Sequence, residues 1–121
     1  MIRNPELYCR SLWNWDVLNE ECFGPSKVAV TDLDGFIEVN GQFLVLETKG
    51  TNVPIPMGQS IMFSELEKLP QFTVFVVYGT PGKPTHMQRW GFPPKEANLE
   101  DLQSVVKKWY IASKKVKRST T

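Results

Sequence analysis

The chain has few of the residues on which disulfide-rich, zinc-binding and acyl-transfer proteins depend. Its two cysteines, Cys9 and Cys22, are too few for a disulfide framework, and neither belongs to a Cys-x-x-Cys zinc motif. We expect both to be reduced core residues on a first helix. The single histidine, His86, has no cysteine near it in sequence, which disfavours a nucleophile activated by a neighbouring imidazole.

Long hydrophobic runs are also absent, and we expect no targeting segment. No stretch of about 18 apolar residues occurs, so we expect no transmembrane helix. The first residues, Met-Ile-Arg-Asn-Pro-Glu, lead into no apolar signal segment, so we expect an intracellular, cytoplasmic protein. The chain has no internal repeats either. Its 121 residues, 41% of them hydrophobic, predict a single domain, residues 1–121, with a modest core.

Charge is unevenly distributed, although the formal net charge is only +1. Residues 107–118 contain no acidic residue and six of the 14 basic ones, namely Lys107, Lys108, Lys114, Lys115, Lys117 and Arg118. Residues 1–106 contain the other eight basic residues and all 13 acidic ones, which gives this part of the chain a net charge of −5. This basic C-terminal end predicts contacts with nucleic-acid phosphates. A solubilising tail is the alternative that the sequence leaves open.

The patterning predicts an α/β protein with a central mixed β-sheet flanked by helices, in the order α-β-β-α-β-(β)-α. Helices are predicted from Asn4-Pro5 to about Glu21, over residues 58–69, and over residues 99–113 after an Asn98 cap. Strands are predicted over residues 28–39, 42–49 and 72–78, with a short edge strand over residues 85–91. Residues 72–78 are apolar almost throughout, which is typical of a central strand buried on both faces.

Two of these strands are joined by Asn40-Gly41, the strongest short-range signal for a β-hairpin, because a type I′ turn needs positive φ at both central residues. With these residues in the turn, Asp34 lies opposite Glu47. The next pair outward on the same face is Asp32 with Lys49. Opposed carboxylates in an antiparallel pair repel each other. The pairing therefore predicts a cation between Asp34 and Glu47, provided that the loop has an even number of residues.

The residues around this pair suit metal-assisted hydrolysis. Glu47 and Lys49 are two positions apart on a strand, so both side chains leave the face that carries Asp34. Two carboxylates and the backbone carbonyl of Thr48 are hard oxygen ligands of the kind that Mg²⁺ prefers. A metal there lowers the pKa of a bound water and polarises a phosphoryl oxygen, and Lys49 can stabilise charge on the phosphate. The cluster predicts hydrolysis of a phosphodiester.

This pattern, Asp34 followed after twelve residues by Glu47-Thr48-Lys49 in a hairpin after a first helix, resembles the PD-(D/E)XK nuclease superfamily, which has a restriction-endonuclease-like fold. Residues 31–50 are similar to small phage-type or resolvase-like members. Gln59 matches a glutamine that several branches carry at the start of the next helix. The resemblance covers residues 28–69 well and the rest only by order of elements. Leu33 stands where the family name has proline.

The resemblance implies a role for each of these residues. Asp34 and Glu47 would be the metal ligands for Mg²⁺, with Mn²⁺ as a substitute, and Thr48 would add its carbonyl. Lys49 would be the catalytic lysine. Gln59 would be an active-site residue that touches the lysine or a metal-bound water.

Two points stay open at the level of sequence. The family often adds an acid from the first helix, for which Glu6 and Glu20 are both candidates, and the place of Glu6 at the helix start favours it. Asp32 shares the face of the cluster and could instead form a salt bridge with Lys49. In that interpretation the strand presents a solvated charged face. The apolar residues 44–46 before the glutamate favour a buried site over that alternative.

Together, the cluster and the resemblance predict a metal-dependent DNA endonuclease that leaves a 5′-phosphate and is structure-specific or weakly sequence-specific. DNA is the expected partner, and a homodimer would reach both strands. We expect no organic cofactor and no membrane partner. If the chain is phage-encoded, its location is the host cytoplasm. The alternatives are a non-catalytic nucleic-acid-binding or assembly factor that retains the fold, and an RNA endonuclease.

Overall fold

The computed structural model describes residues 13–118, and the chain divides between Asp32 and Leu33 into two compact units. In its described residues, 13–32, the first unit contains one short helix, α1 (Asp16–Cys22). Cys22 is exposed, so the prediction of a core cysteine is wrong there, and Cys9 lies outside the described residues. The predicted helix start at Asn4-Pro5 also lies outside them, but a continuous helix from there to about Glu21 is wrong, because residues 13–15 are not helical and α1 begins at Asp16. One domain over residues 1–121 stays a prediction.

The second unit is α/β, as predicted, with one five-stranded mixed sheet in the order β1-β2-β3-β4-β5. Its strands are β1 (Gly35–Val39), β2 (Gln42–Lys49), β3 (Phe72–Thr80), β4 (Lys83–Arg89) and β5 (Lys95–Glu96). Its helices are α2 (Met57–Glu67) and α3 (Leu99–Lys114). The strand predicted over residues 85–91 is present as β4, but it is not an edge strand, because β5, an additional two-residue strand, pairs with its outer side. Among the helices of residues 13–118, none is long and apolar enough to cross a membrane.

The turn between β1 and β2 confirms the predicted hairpin. Asn40 and Gly41 have φ angles of 51° and 81°, as a type I′ turn requires. The antiparallel register pairs Phe36 with Val45, which is the register that a two-residue turn at these positions dictates. The loop therefore has the even length on which the predicted opposition of carboxylates depends.

The start of β1 differs from the prediction, because the strand begins at Gly35 and not at residue 28. The physical reason lies in the next residue outward, Asp34. Its carboxylate accepts the backbone N–H of Thr48, a donor that would otherwise serve the strand ladder. Main-chain pairing stops where a side chain takes over this hydrogen bond.

α2 connects β2 to β3, which run parallel, and parallel neighbours require such a crossover. The helix packs on one face of the sheet and forms a core of fully buried side chains, Val45, Phe63, Val74 and Val76. Glu47 leaves β2 on the same face as Val45, because alternate residues of a strand point the same way. The α2 face of the sheet therefore carries both the core and the predicted site.

The opposite face of the sheet lies towards α3. Leu46 and Val77 line one cavity with Leu99 and Leu102 of that helix. Val76, which points towards α2, is fully buried, and Val77 is 8% exposed. Burial of β3 on both faces, predicted from its apolar run, is therefore confirmed.

α3 begins with a capping box, in which the Asn98 side chain accepts from the backbone N–H of Asp101 at 2.9 Å and Asp101 Oδ2 accepts from the backbone N–H of Asn98 at 2.8 Å. We expect Asn98→Ala to lower the free energy of unfolding by about 1 kcal/mol. Urea denaturation with an unchanged m-value measures this loss. Asn98→Asp keeps the acceptor and should lose much less, so equal losses in the two variants would contradict the capping role.

Candidate metal centre

Asp34 is held at the open end of the hairpin by two hydrogen bonds. Its Oδ2 accepts from the backbone N of Thr48 at 2.9 Å and from Thr48 Oγ1 at 2.8 Å. A strand residue directs its N–H and its C=O towards the same neighbouring strand, so the Thr48 carbonyl points to the side on which Asp34 lies. Two of the predicted oxygen donors therefore share the edge of β2 beyond the end of β1.

Glu47 is a buried carboxylate with incomplete hydrogen bonding. It is 4% exposed, and its Oε1 accepts from Gln59 Nε2 at 3.3 Å and lies 3.9 Å from Lys49 Nζ. Its Oε2 has no hydrogen-bond partner within residues 13–118. A buried carboxylate oxygen without a partner is costly. Its free lone pairs are what a hard cation such as Mg²⁺ accepts.

The two carboxylates influence each other's ionisation. Burial raises the pKa of Glu47, Asp34 raises it further through its charge and a hydrogen bond, and Lys49 and Gln59 only partly oppose this rise. Burial also acts to raise the pKa of Asp34. The net effect is nevertheless a lowered pKa, because the hydrogen bonds from Thr48, a hydrogen bond with Glu47 and the positive charge of Lys49 together outweigh burial. Asp34 therefore ionises first, and Glu47 keeps its proton longer. A divalent cation between them would relieve this repulsion.

The raised pKa of Glu47 predicts that the metal-free protein loses stability as the pH rises above the ordinary glutamate value of 4.5. The folded state binds more protons than the unfolded state in this range, so the free energy of unfolding falls until the pH passes the raised value. Asp34 affects the stability at lower pH. Its lowered pKa stabilises the folded state above the ordinary aspartate pKa of 3.8, and this stabilisation is lost as the pH falls through the lowered pKa of the folded state.

Glu47→Gln should remove the upper pH dependence from denaturation curves recorded in EDTA, because glutamine does not titrate. The lower dependence, which belongs to Asp34, should remain. If the variant keeps the native fall in stability above pH 4.5, another group is responsible and the assignment to Glu47 is wrong.

Lys49 and Gln59 reach the carboxylates from different elements. Lys49 ends β2, and its side chain is 19% exposed, so its ammonium group borders both Glu47 and solvent. Gln59 lies in the first turn of α2, and its Oε1 is buried without a partner in the described chain. The structure thus brings together the four side chains that the sequence predicted as catalytic: Asp34, Glu47, Lys49 and Gln59.

A further acid from the first helix stays a prediction. Glu6 lies outside the described residues, and Glu20 is exposed on α1 in the first unit. Asp32 belongs to that unit too and accepts from Trp15 Nε1 at 3.0 Å, so its pairing with Lys49 stays a prediction. Residues 13–118 contain no group of three or more His, Cys, Asp or Glu side chains placed to hold a metal. Two carboxylates suit Mg²⁺, which keeps several of its waters.

No protein family model, curated protein or solved structure matches this chain. Membership of the PD-(D/E)XK superfamily therefore stays a prediction that rests on the spacing of Asp34, Glu47 and Lys49. The chemistry of the cluster can be argued without it, because burial, hydrogen bonding and charge are properties of these side chains themselves.

The basic residues at the C-terminal end are exposed, and two of them are engaged within the chain. Arg118 Nη1 lies 2.9 Å from Glu38 Oε2, and Lys114 Nζ lies 5.2 Å from the centre of the Tyr110 ring. The other four, also exposed, are Lys107, Lys108, Lys115 and Lys117. Contact of this cluster with DNA stays a prediction, and Arg118 would have to give up its ion pair to take part.

The sequence pattern did not indicate that Tyr78 and His86 lie beside the site. Lys49 pairs with Tyr78 across β2 and β3, and Tyr78 pairs with His86 across β3 and β4. The register of β2 against β3 decides this placement. That register depends on how the α2 crossover packs, so the residue pattern of the two strands does not predict it.

Proposed function

We propose that the chain is a Mg²⁺-dependent endonuclease that hydrolyses phosphodiester bonds in DNA. The observation that carries the proposal is Glu47 Oε2, a buried oxygen without a partner among residues 13–118, on a carboxylate coupled to Asp34 and Lys49. A solvated charged face is the competing interpretation, and it requires an exposed glutamate. The 4% exposure of Glu47 argues against it.

The order of elements in the second unit supports the same proposal. A hairpin carries the acidic pair, its second strand carries the glutamate and the lysine, and a crossover helix leads to a parallel neighbour. This is the arrangement that the PD-(D/E)XK resemblance implies for the catalytic part of the fold. We therefore propose a restriction-endonuclease-like core within residues 33–118.

Asp34, Glu47 and the Thr48 carbonyl would hold the Mg²⁺, and Mn²⁺ suits the same oxygen donors. When bound, the cation polarises a phosphoryl oxygen and makes water a better nucleophile near neutral pH. Hydrogen bonds from Thr48 keep Asp34 ionised. Gln59 donates to Glu47 and fixes its orientation.

Lys49 is the side chain that acts on the reacting groups. Its ammonium borders both the carboxylate and solvent, from where it donates hydrogen bonds to the attacking water or to a phosphate oxygen that gains charge. Cleavage leaves a 5′-phosphate, as the family resemblance implies.

Specificity for a long base sequence does not fit the described unit. Within residues 33–118 both helices pack on the sheet, which leaves no separate helix for reading bases in a groove. We therefore propose structure-specific or weakly sequence-specific cleavage. Two copies of the chain would reach both strands of a duplex, and sedimentation of the DNA complex measures their number.

The native chain tests the proposed function directly. Supercoiled, linear and branched DNA, and RNA of the same sequences, are incubated with Mg²⁺, Mn²⁺ or EDTA. We expect DNA cleavage with either cation and none with EDTA. Cleavage of RNA alone would replace the proposal by an RNA endonuclease. Binding of nucleic acid without cleavage under all conditions would support the non-catalytic binding or assembly factor.

A further inference from the structure

A row of three side chains crosses the sheet beside the candidate metal centre. Lys49 pairs with Tyr78, and Tyr78 pairs with His86. Paired residues project from the same face, and neighbouring strands lie roughly 4.8 Å apart. His86 therefore lies two strand spacings, roughly 10 Å, from Lys49 along the α2 face of the sheet.

A cavity of about 220 Å³ opens at the Tyr78 and His86 end of this row. Its lining consists of two apolar residues, Val53 and Pro94, the aromatic residue Tyr78, and two polar residues, Asn52 and His86. All five residues belong to the second unit, as do the four side chains of the candidate metal centre. Tyr78, which lines the cavity, pairs with Lys49, so the cavity adjoins the site at the end of the row opposite Asp34.

The polar groups at the rim are not all used within the chain. The Tyr78 hydroxyl donates to Gln88 Oε1 at 3.0 Å, and His86 Nδ1 lies 3.0 Å from Thr85 Oγ1. His86 Nε2 and the side-chain amide of Asn52 make no hydrogen bond to another described residue. One ring nitrogen and one amide therefore stay available to a ligand.

The size and lining of the cavity define the kind of ligand. A cavity of about 150 Å³ holds a benzene-sized ring, whereas drug-sized ligands need about 300 Å³ or more. A volume of about 220 Å³ therefore suits a single planar ring system. An aromatic wall with donors and acceptors at its edge suits a nucleobase, which stacks through its face and forms hydrogen bonds through its edge.

We propose that this cavity binds one unpaired nucleobase beside the phosphodiester that is cleaved. The inference rests on the proposed nuclease function and adds to it a feature of the substrate. A base inside a duplex is stacked and paired, so it enters such a cavity only when it is unpaired or extruded. Single strands, flaps and branch points should therefore be cut in preference to intact duplex.

The test is the fluorescence of a short single-stranded DNA that contains 2-aminopurine, titrated with the whole chain in EDTA so that no cleavage occurs. Stacking of the base in the cavity quenches the fluorescence. The test variant combines Asn52→Gly with His86→Ala, because glycine tolerates the φ of 63° at Asn52. Gln103→Ala, at an exposed position of α3, is the matched control.

The native chain and the control should quench and bind equally well. The double variant should bind about tenfold more weakly and with little quenching, since it has lost both edge contacts of the base. The same oligonucleotide with abasic sites throughout should bind the native chain about as weakly. Equal quenching by the native chain and the double variant, or equally tight binding of the abasic strand, would overturn the proposal.

A second variant guards against loss of structure in the first. Val53 is 45% exposed, so Val53→Trp fills the cavity from its rim without entering the core. It should also prevent quenching while the circular dichroism stays native. A Val53→Trp chain that folds and quenches like the native chain would count against the cavity as the binding site.

Binding in EDTA and cleavage in Mg²⁺ separate the two proposals. If the native chain cleaves DNA but the cavity variants quench normally, the nuclease proposal is supported and the nucleobase site is refuted. If the native chain quenches and the variants do not, yet no DNA is cleaved, the nucleobase site is supported and the nuclease proposal is refuted. If intact duplex is cut as fast as flaps and single strands, the substrate preference is wrong.

Discussion

Replacing Glu47 by glutamine should abolish Mg²⁺-dependent cleavage while the fold stays at least as stable as that of the native chain. The substitution keeps the size of the side chain but removes one of the two carboxylates that would hold the cation. We expect a rate loss of at least about 10³-fold, which corresponds to roughly 4 kcal/mol of lost transition-state stabilisation. Stability is kept because glutamine also removes a buried like charge beside Asp34.

Two measurements on the same samples check this expectation. Single-turnover cleavage gives the rate, and thermal unfolding with and without Mg²⁺ reports on binding of the cation. A cation at about 100 times its Kd stabilises a folded protein by about 2.7 kcal/mol, so the native chain should respond and Glu47→Gln should not. Glu65→Gln is the matched control, because the Glu65 side chain is 65% exposed on α2. A Glu47→Gln chain with native cleavage and a native Mg²⁺ response would refute the metal centre.

Replacing Lys49 by alanine should lower kcat by about 10²–10³-fold, the usual effect of removing one group that stabilises charge in a transition state. Binding of Mg²⁺ should persist, since both carboxylates remain. The ammonium of Lys49 lowers the pKa of Glu47, so its removal raises that pKa further. Cleavage by the variant, and its Mg²⁺ affinity, should therefore require a higher pH than in the native chain.

The shift in pH dependence distinguishes a role in the site from a merely structural one. Lys68→Ala is the control, because the Lys68 side chain is 69% exposed and pairs with Glu65 on the surface of α2. It should leave both the rate and the pH profile unchanged. Lys49→Arg keeps the charge, so it should retain part of the activity and show the same pH profile as the native chain. A Lys49→Ala chain that behaves like Lys68→Ala would show that the lysine takes no part in cleavage.

Local sequence signals predicted the hairpin and its register because the constraints involved are local. Asn40-Gly41 allows positive φ at both turn positions, and a two-residue turn then dictates every pair of the ladder. The same holds for α3, where Asn98 and Asp101 form the cap from neighbouring positions. Elements of this kind could be predicted because the residues that decide them are a few positions apart.

Other features could not be predicted, since contacts between distant residues decide them. The strand pattern extended from residue 28, yet β1 starts at Gly35, because the carboxylate of Asp34 takes the N–H of Thr48. The two-residue strand β5 exists only through its pairing with β4. Cys22 is apolar enough for a core, but it lies exposed at the end of α1.

The candidate site also has features of both kinds, some decided by local sequence and others by contacts between distant residues. The sequence by itself determined the register of the hairpin, which brings Asp34 to the end of β2, and it determined that Glu47 and Lys49 share a face, because a turn of known length and the two-residue period of a strand require it. Only the tertiary structure decided that Glu47 is buried, that Gln59 reaches it, and that Tyr78 and His86 continue the row. These facts depend on how α2, the crossover between two parallel strands, packs on the sheet, and packing is a property of the whole unit that no single segment encodes.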